Sequence, residues 1–182
     1  LTAIKLNNAT VIDFRTSLVS LVDKLKLDGD PQHAGVQFRA SQLVPDKTKN
    51  LTYYNRPDGQ AKPGKFRNWS NKKNESDINK SHINLPSLAM TIAIPDPATE
   101  GKKTENSVYT IAYLCDDANP KPSRFSERDY GRFGSYFQTT VVPEAPLSVH
   151  YRYWIIDGAS DNKTLKHLSD QFANPVTIEV LK

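Results

Sequence analysis

The sequence predicts an all-β protein, an antiparallel β-sandwich with one short C-terminal helix. Many short segments are rich in β-branched and aromatic residues, and Asp, Gly, Asn and Pro separate them. Helical segments do not alternate with them, which favours an antiparallel over a parallel sheet. The predicted strands are TVIDFRTSLVSLV, AGVQFRASQLV, LTYYNR, LAMTIAI, SVYTIAYLC, SYFQTTVV, LSVHYRYWII and VTIEVL.

Turn signals separate these strands. Asp28-Gly29 and Asp58-Gly59 are dipeptides typical of hairpin turns. Prolines such as Pro86 and Pro143 fall at strand boundaries, where a missing N–H donor does no harm. We therefore expect a single β-sandwich domain over residues 1–182. Residues 59–82, rich in Gly, Asn and Lys, are predicted to form a flexible loop.

One segment near the end has helical spacing. Leu165, Leu168 and Phe172 share one face, behind the candidate caps Ser160 and Asp161. Asn174-Pro175 is predicted to end this helix before the last strand.

Composition excludes several classes of function. The 182 residues carry a net charge of +4, with 24 basic and 20 acidic side chains, which does not favour nucleic acid as a partner. Membrane insertion is not expected, because no apolar run approaches the roughly 20 residues that a spanning helix needs. The single cysteine, Cys115, lies in an apolar run and is predicted to be a buried, inert thiol. No motif predicts a metal site or a cofactor.

The segment NPKPSRFSERDYGRFGSYF, residues 119–137, concentrates functional groups. Arg124, Arg128 and Arg132 recur every fourth residue, but the glycines and prolines predict a shaped loop entering a strand rather than a helix. Guanidinium groups and rings presented together suit a polyhydroxylated or anionic ligand. The alternative is a solvated turn whose arginines pair with acids. Those acids would be Asp116, Asp117, Glu127 and Asp129.

Two predicted strands each have a polar face under period-two alternation. In HAGVQFRA the residues predicted to share it are His33, Gly35, Gln37 and Arg39. In LSVHYRYWII they are His150, Arg152 and Trp154. These faces either line a concave ligand groove or form an ordinary solvated surface. Trp69 is predicted either to close over such a groove or to anchor its loop.

These patterns give candidate site residues. His33 and Tyr130 are the candidate catalytic acid or base, since an imidazole and a phenol can transfer protons. The candidate ligand-binding residues are Gln37, Arg39, Trp69, Arg128, Asp129 and Arg152. A carboxylate pair for hydrolysis, Asp129 with Glu127 or Asp30, is a further alternative.

The run YTIAYLCDDANPKPSRFSERDYGRFGSYF, followed by PLSVHYRYWIIDG, resembles an uncharacterised bacterial family labelled methane-oxygenase-A-like. The matching positions are Asn119, Pro120, Arg128, Tyr130, Gly131, Arg152, Asp157 and Gly158, with Gly35 and Arg39 upstream. Many members have His-Pro where this chain has Asp117-Ala118. HAGVQFR also resembles, over a short stretch, a strand of concanavalin-like 3-keto-glycoside hydrolases.

The resemblance implies a β-sandwich that is often exported, in bacteria that degrade complex polysaccharides. The chain starts at Leu1, and we expect a mature or truncated product that lacks an N-terminal portion carried by relatives. Our hypothesis is a secreted or periplasmic protein that recognises, and in one version processes, a carbohydrate. The alternative is a non-catalytic structural or assembly module with a protein partner. Whether the protein is an enzyme is left open at this point.

Overall fold

A computed structural model of the protein describes residues 1–30, 33–67, 82–95 and 106–175. The strands in that part are β1 (Thr2–Lys5), β2 (Ala9–Leu18), β3 (Leu25–Leu27), β4 (Val36–Arg39), β5 (Tyr53–Arg56), β6 (Gly59–Gln60), β7 (Ser87–Pro95), β8 (Asn106–Cys115), β9 (Arg124–Arg128), β10 (Arg132–Tyr136), β11 (Thr139–Val141) and β12 (Leu147–Asp157). A π-turn over Val44–Thr48, a 3₁₀ turn over Lys49–Leu51 and one α-helix, α1 (Asn162–Ala173), complete the described elements.

The strands form an antiparallel β-sandwich, as predicted. A large sheet has the order β1-β2-β12-β8-β7-β5-β6, and a three-stranded sheet has the order β4-β10-β9. A two-stranded ribbon of β11 and β3 lies at the side. All neighbouring strands pair antiparallel.

Aromatic side chains fill the space between the two main sheets. The ring centroid of Tyr113 on β8 lies 6.1 Å from those of Phe125 on β9 and Phe133 on β10. Phe38 on β4 approaches Tyr153 on β12 at 6.4 Å. These inward rings define the outer faces, because alternate residues of a strand point to opposite sides of the sheet. Arg39 and Arg132 therefore lie on the outer face of the three-stranded sheet.

Helix α1 covers part of the outer face of the large sheet. Its buried Leu165 packs with Ala89, Ala112 and Leu114. The Asp161 side chain caps the helix by accepting the backbone N–H of Thr164 at 2.7 Å, which confirms the predicted start. No helix in the described ranges is both long and apolar enough to cross a membrane.

Two local predictions were wrong. Asp28-Gly29 does not close a hairpin, because β3 before it and β4 after it belong to different sheets. The second prediction is wrong only in part: residues 119–123 form a loop that enters a strand, but Arg124–Arg128 and Arg132–Tyr136 then form the β9–β10 hairpin. Alternation in RFSER and RFGSY places rings on the inner face. Asp58-Gly59 does lie at the β5–β6 hairpin. Residues 68–81, which include Trp69, and the predicted last strand from residue 176 lie outside the described residues.

Candidate functional site

Three arginines stand side by side on the outer face of the three-stranded sheet. Arg132 on β10 is directly opposite Arg39 on β4 and also directly opposite Arg128 on β9. Residues directly opposite in antiparallel strands share a face, and like charges in such pairs are destabilising. We call Arg39, Arg132 and Arg128 the arginine row. With strands about 4.8 Å apart, the row spans about 10 Å.

Tyr130 lies against two members of the row. Its ring centroid is 5.6 Å from the guanidinium carbon of Arg132 and 6.0 Å from that of Arg39. A guanidinium group within about 6 Å of a ring face is attracted by the ring quadrupole. Tyr130 therefore helps to hold two cations together, but its neutral ring supplies no counter-charge.

Two members of the row, Arg39 and Arg128, have no acid partner among the described residues. Glu127 pairs with Arg56, and Asp117 pairs with Lys121. Neither Arg39 nor Arg128 pairs with any acid of the described ranges, and Asp129 in the turn is exposed. The Nε and Nη2 atoms of Arg128 are buried and have no hydrogen-bond partner there. Within the described ranges, two of the three cations thus have no acid partner.

The cross-strand row next to the arginines is Gln37, Gly134 and Ser126. A Cβ atom on Gly134 would lie 2.3 Å from the carbonyl oxygen of Val36, so only glycine fits between β4 and β9 at this place. Gln37 Oε1 and Ser126 Oγ are buried without a hydrogen-bond partner in the described part of the chain. Polar atoms without a described partner therefore extend from the arginine row to the next cross-strand row.

The backbone under the arginine row is anchored from the core. The Tyr54 hydroxyl donates to the carbonyl oxygen of Arg128 at 2.7 Å and accepts the Arg128 N–H at 3.2 Å. Burial raises the pKa of Tyr54 above its ordinary value, so this hydroxyl keeps its proton. Gly131 closes the hairpin turn at φ +74°, a conformation that favours glycine.

Glu127 and Arg56 form a buried ion pair behind the row, on the inner face of the same sheet. Glu127 is 1% exposed and Arg56 is 8% exposed. The Arg56 fork donates to both carboxylate oxygens, at 2.6 and 2.5 Å, and the Arg67 backbone N–H donates to Glu127 Oε2 at 2.7 Å. This pair supports β9 and takes no part in the outer face.

The structure brings together only some of the predicted site residues. Gln37, Arg39, Arg128 and Tyr130 lie on one face or at its edge. His33 lies beyond the other end of β4, exposed, with its Nδ1 atom 3.0 Å from Asp30. The two residues predicted to be catalytic, His33 and Tyr130, are therefore not neighbours.

Arg152 belongs to the opposite side of the sandwich. It lies on the outer face of the large sheet, where both Nε and Nη2 donate to Asp13 at 2.7 Å. His150 lies on the same face, with Nδ1 2.9 Å from Asp116 and Nε2 3.3 Å from Asp13. We call Asp13, Arg15, Asp116, His150 and Arg152 the histidine face.

The sequence gives little or no indication of three residues on these two outer faces. It indicates that Gly134 disfavours a helix, but it does not predict the close contact of Gly134 with β4. Asp13 and Arg15 were missed, because their relation to β12 depends on the pairing of β2 with a strand more than a hundred residues away. The repeat of Arg128 and Arg132 about a Gly-containing turn was the available signal for the row.

The other candidate chemistries find less support. Desolvation raises the pKa of the Cys115 thiol to about 12, as expected for an inert thiol. Within the described ranges, no group of three or more His, Cys, Asp or Glu side chains is placed to hold a metal ion.

Residues 1–170 match the model of DUF6807, a family of unknown function. The chain belongs to this family. The match spans both the arginine row and the histidine face. A search of curated proteins and a search of solved structures each gave no significant match.

Proposed function

We propose that the protein recognises an acidic carbohydrate through the arginine row. The observation that carries the proposal is the direct apposition of three arginines, two of which have no acid partner in the described ranges. A fold gains nothing from placing like charges opposite each other. A bound anion removes that repulsion.

Carboxylate or sulfate groups of a sugar fit the row chemically. A guanidinium fork matches a carboxylate with two parallel hydrogen bonds. The exposed Arg39, which pairs with no acid of the described ranges, gains an acceptor when such a group binds. Each hydrogen bond between charged groups is worth about 1.5–3 kcal/mol. Tyr130 adds a ring at the edge of the row, and the hydroxyl groups of a sugar suit the polar atoms of Gln37 and Ser126.

A short ligand is favoured over a long polyanion. The row is about 10 Å long, and the net charge of the whole chain is only +4. A nucleic acid is bound through many phosphate contacts along an extended basic surface. An oligosaccharide with a few acid groups needs no such surface.

Calorimetric titration with oligogalacturonate tests this proposal. We expect Arg39→Ala and Arg128→Ala each to weaken binding at least about tenfold, the loss of one charged hydrogen bond. Lys5→Ala is the control, because it removes one positive charge from an exposed side chain of β1 that belongs neither to the row nor to the histidine face. Equal affinity in all four proteins, or an equal loss in the control, would refute the role of the row.

The resemblance to the methane-oxygenase-A-like family adds a proposal about where the protein is located in the cell. It implies export in bacteria that degrade polysaccharides, and an acidic glycan of a cell wall or matrix is met outside the cytoplasm. Fractionation of a native host tests this part. Recovery only from the cytoplasm would contradict it and would leave the binding proposal to its own experiment.

One observation favours the alternative of an assembly module. All four residues of the edge strand β1 are exposed, and so is the nearby Leu6. An edge strand with free backbone groups can pair with a strand of another chain. Native purification distinguishes the two functions: a stoichiometric protein partner that survives Arg39→Ala, with no glycan affinity, would support assembly instead.

A further inference from the structure

The histidine face borders two adjoining cavities on the outer side of the large sheet. One has a volume of about 280 Å³ and extends toward the end of helix α1. The other has a volume of about 400 Å³ and extends along β2 and β12. Arg15, Asp116 and His150 line both. Small-molecule sites occupy about 300–1,000 Å³, so the two together offer room for a small ligand.

His150 is held in one position at the junction of the cavities. Asn119 clamps its backbone, donating to the carbonyl oxygen and accepting the N–H, both at 2.8 Å. Its ring lies between Asp116 and Asp13, and its side chain is 13% exposed. The imidazole is therefore oriented before any ligand arrives, which lowers the entropy lost on binding.

The two carboxylates that contact His150 are ionised at neutral pH. The hydrogen bond from Arg152 lowers the pKa of Asp13. The backbone N–H of Ala118 lowers the pKa of Asp116, and His150 lowers it further. These negative charges face positive ones, since Asp13 binds Arg152 and the exposed Arg15 stands directly opposite His150 on β2.

The charges of the smaller cavity balance. Its lining includes two guanidinium groups, of Arg15 and Arg152, and two carboxylates, of Asp116 and Asp117. An anionic ligand would meet the carboxylates, and a cationic ligand would meet the guanidinium groups. The lining thus gives no net attraction to either sign of charge, in contrast to the arginine row.

Hydrogen-bonding groups and one aromatic wall remain as the means of recognition. The ring of Phe172 on α1 lies 4.7 Å from the His150 ring and 5.0 Å from the Arg152 guanidinium carbon. The larger cavity adds the hydroxyls of Ser17 and Ser148. Donors and acceptors beside an apolar ring suit a molecule with many hydroxyls on one side and C–H groups on the other.

We infer that the histidine face is a second binding site, which takes a neutral polyhydroxylated ligand of the size of a monosaccharide or disaccharide unit. Arg15 and Asp116 hydrogen-bond its hydroxyl groups, and Phe172 contacts its apolar side. His150, whose two ring nitrogens contact Asp116 and Asp13, lies beside the ligand and reports its binding. This site is independent of the arginine row and lies on the opposite outer face of the sandwich.

The test uses NMR of the full chain with its histidine side chains labelled, titrated with cellobiose, maltose and lactose. Labelled His150→Gln identifies the His150 resonance. We expect a saturable shift of that resonance with at least one disaccharide, and a dissociation constant that changes less than twofold between about 0.05 and 0.5 M NaCl. No saturable shift with any of the three, or an affinity that falls steeply with salt, would overturn the inference.

Variants separate this site from the arginine row. Arg15→Ala removes an exposed side chain and is expected to weaken disaccharide binding at least about tenfold, since a hydrogen bond from a charged group is lost. Arg39→Ala should leave disaccharide binding unchanged. The opposite pattern would assign the neutral ligand to the arginine row and overturn the second site, whereas failure of oligogalacturonate binding alone would overturn only the first.

Discussion

On the two outer faces of the sandwich, the charged side chains that stand opposite Arg152 and Arg132 differ in sign. On the large sheet, Arg152 stands directly opposite Asp13 and binds it through two hydrogen bonds. On the three-stranded sheet, Arg132 stands directly opposite two further arginines. The first arrangement stabilises the pairing of β2 with β12. The second opposes the pairing of β4, β10 and β9, so its sheet must be stabilised by other contacts.

Strand β9 shows the same contrast between neighbouring residues. Glu127 points inward and is paired on both oxygens. Arg128 points to the other side, and its Nε and Nη2 atoms have no hydrogen-bond partner among the described residues. The acid of this strand, Glu127, therefore pairs with the buried Arg56 and not with the arginine row. Among the described residues, the carboxylate of β9 is thus paired in the interior, whereas the arginine next to it on the outer side has no acid partner.

The largest expected effect on the free energy of unfolding comes from the buried ion pair of Glu127 and Arg56. Glu127→Ala leaves Arg56 as a buried charge without its partner, and breaking a buried ion pair in this way costs about 3–5 kcal/mol. Urea unfolding, followed by tryptophan fluorescence, measures the change. Arg56→Ala should cost a similar amount. A loss below about 1 kcal/mol, the range of surface pairs, would mean that β9 is held by the hydrophobic core alone.

The next largest effect concerns the histidine face, where the pair of Asp13 and Arg152 makes the free energy of unfolding depend on pH. Asp13→Asn should lower the free energy of unfolding at pH 7 by about 1.5–3 kcal/mol, because a charged, bidentate contact is lost. The folded pKa of Asp13 is lowered, so its contribution is present above the unfolded pKa of about 3.9 and is lost as the pH falls through the folded value.

Unfolding curves of the wild type and Asp13→Asn across that range check the sign. The two proteins should converge as the solution is acidified and differ fully at neutral pH. A difference that stays constant down to about pH 2, below both pKa values, would show that Asn disturbs packing rather than the ion pair.

The smallest expected effect concerns the arginine row itself. Arg128→Met keeps the aliphatic packing and removes a like-charge contact. It also removes two buried nitrogens that have no partner in the described ranges. Stability should stay the same or rise by about 0.2–1 kcal/mol. Arg152→Met is the matched control on the other face and should destabilise. If Arg128→Met destabilises as much as Arg152→Met, the row is a structural element and the contrast between the faces fails.

Local sequence patterns predicted which side chains share a strand face. Alternation placed Gln37 with Arg39, and His150 with Arg152, as the structure has them. Local patterns could not predict which faces meet, because that depends on strand order. The arginines of β4 and β9 come together only because β10 lies between them, and β12 lies against β2 across more than a hundred residues.

Turn chemistry predicted less than strand alternation. The dipeptide at Asp58-Gly59 lies at a hairpin, where Gly59 has a φ of +130°. Asp28-Gly29 instead connects two sheets, and Gly29 is not among the glycines with a positive φ. The helix was predicted well because its signals are local: an Asp161 cap, an apolar face and a terminating Asn-Pro. The acids that compensate Arg152 and His150 have no local signal at all.

The central claim is that the arginine row binds an acidic ligand through its positive charge. One paired titration tests this claim most directly. Oligogalacturonate and its fully methyl-esterified form share their rings and hydroxyls and differ in charge. We predict saturable binding of the acid that weakens with added salt, and at least about tenfold weaker binding of the ester. Equal binding of both forms, or of neither, would contradict the account.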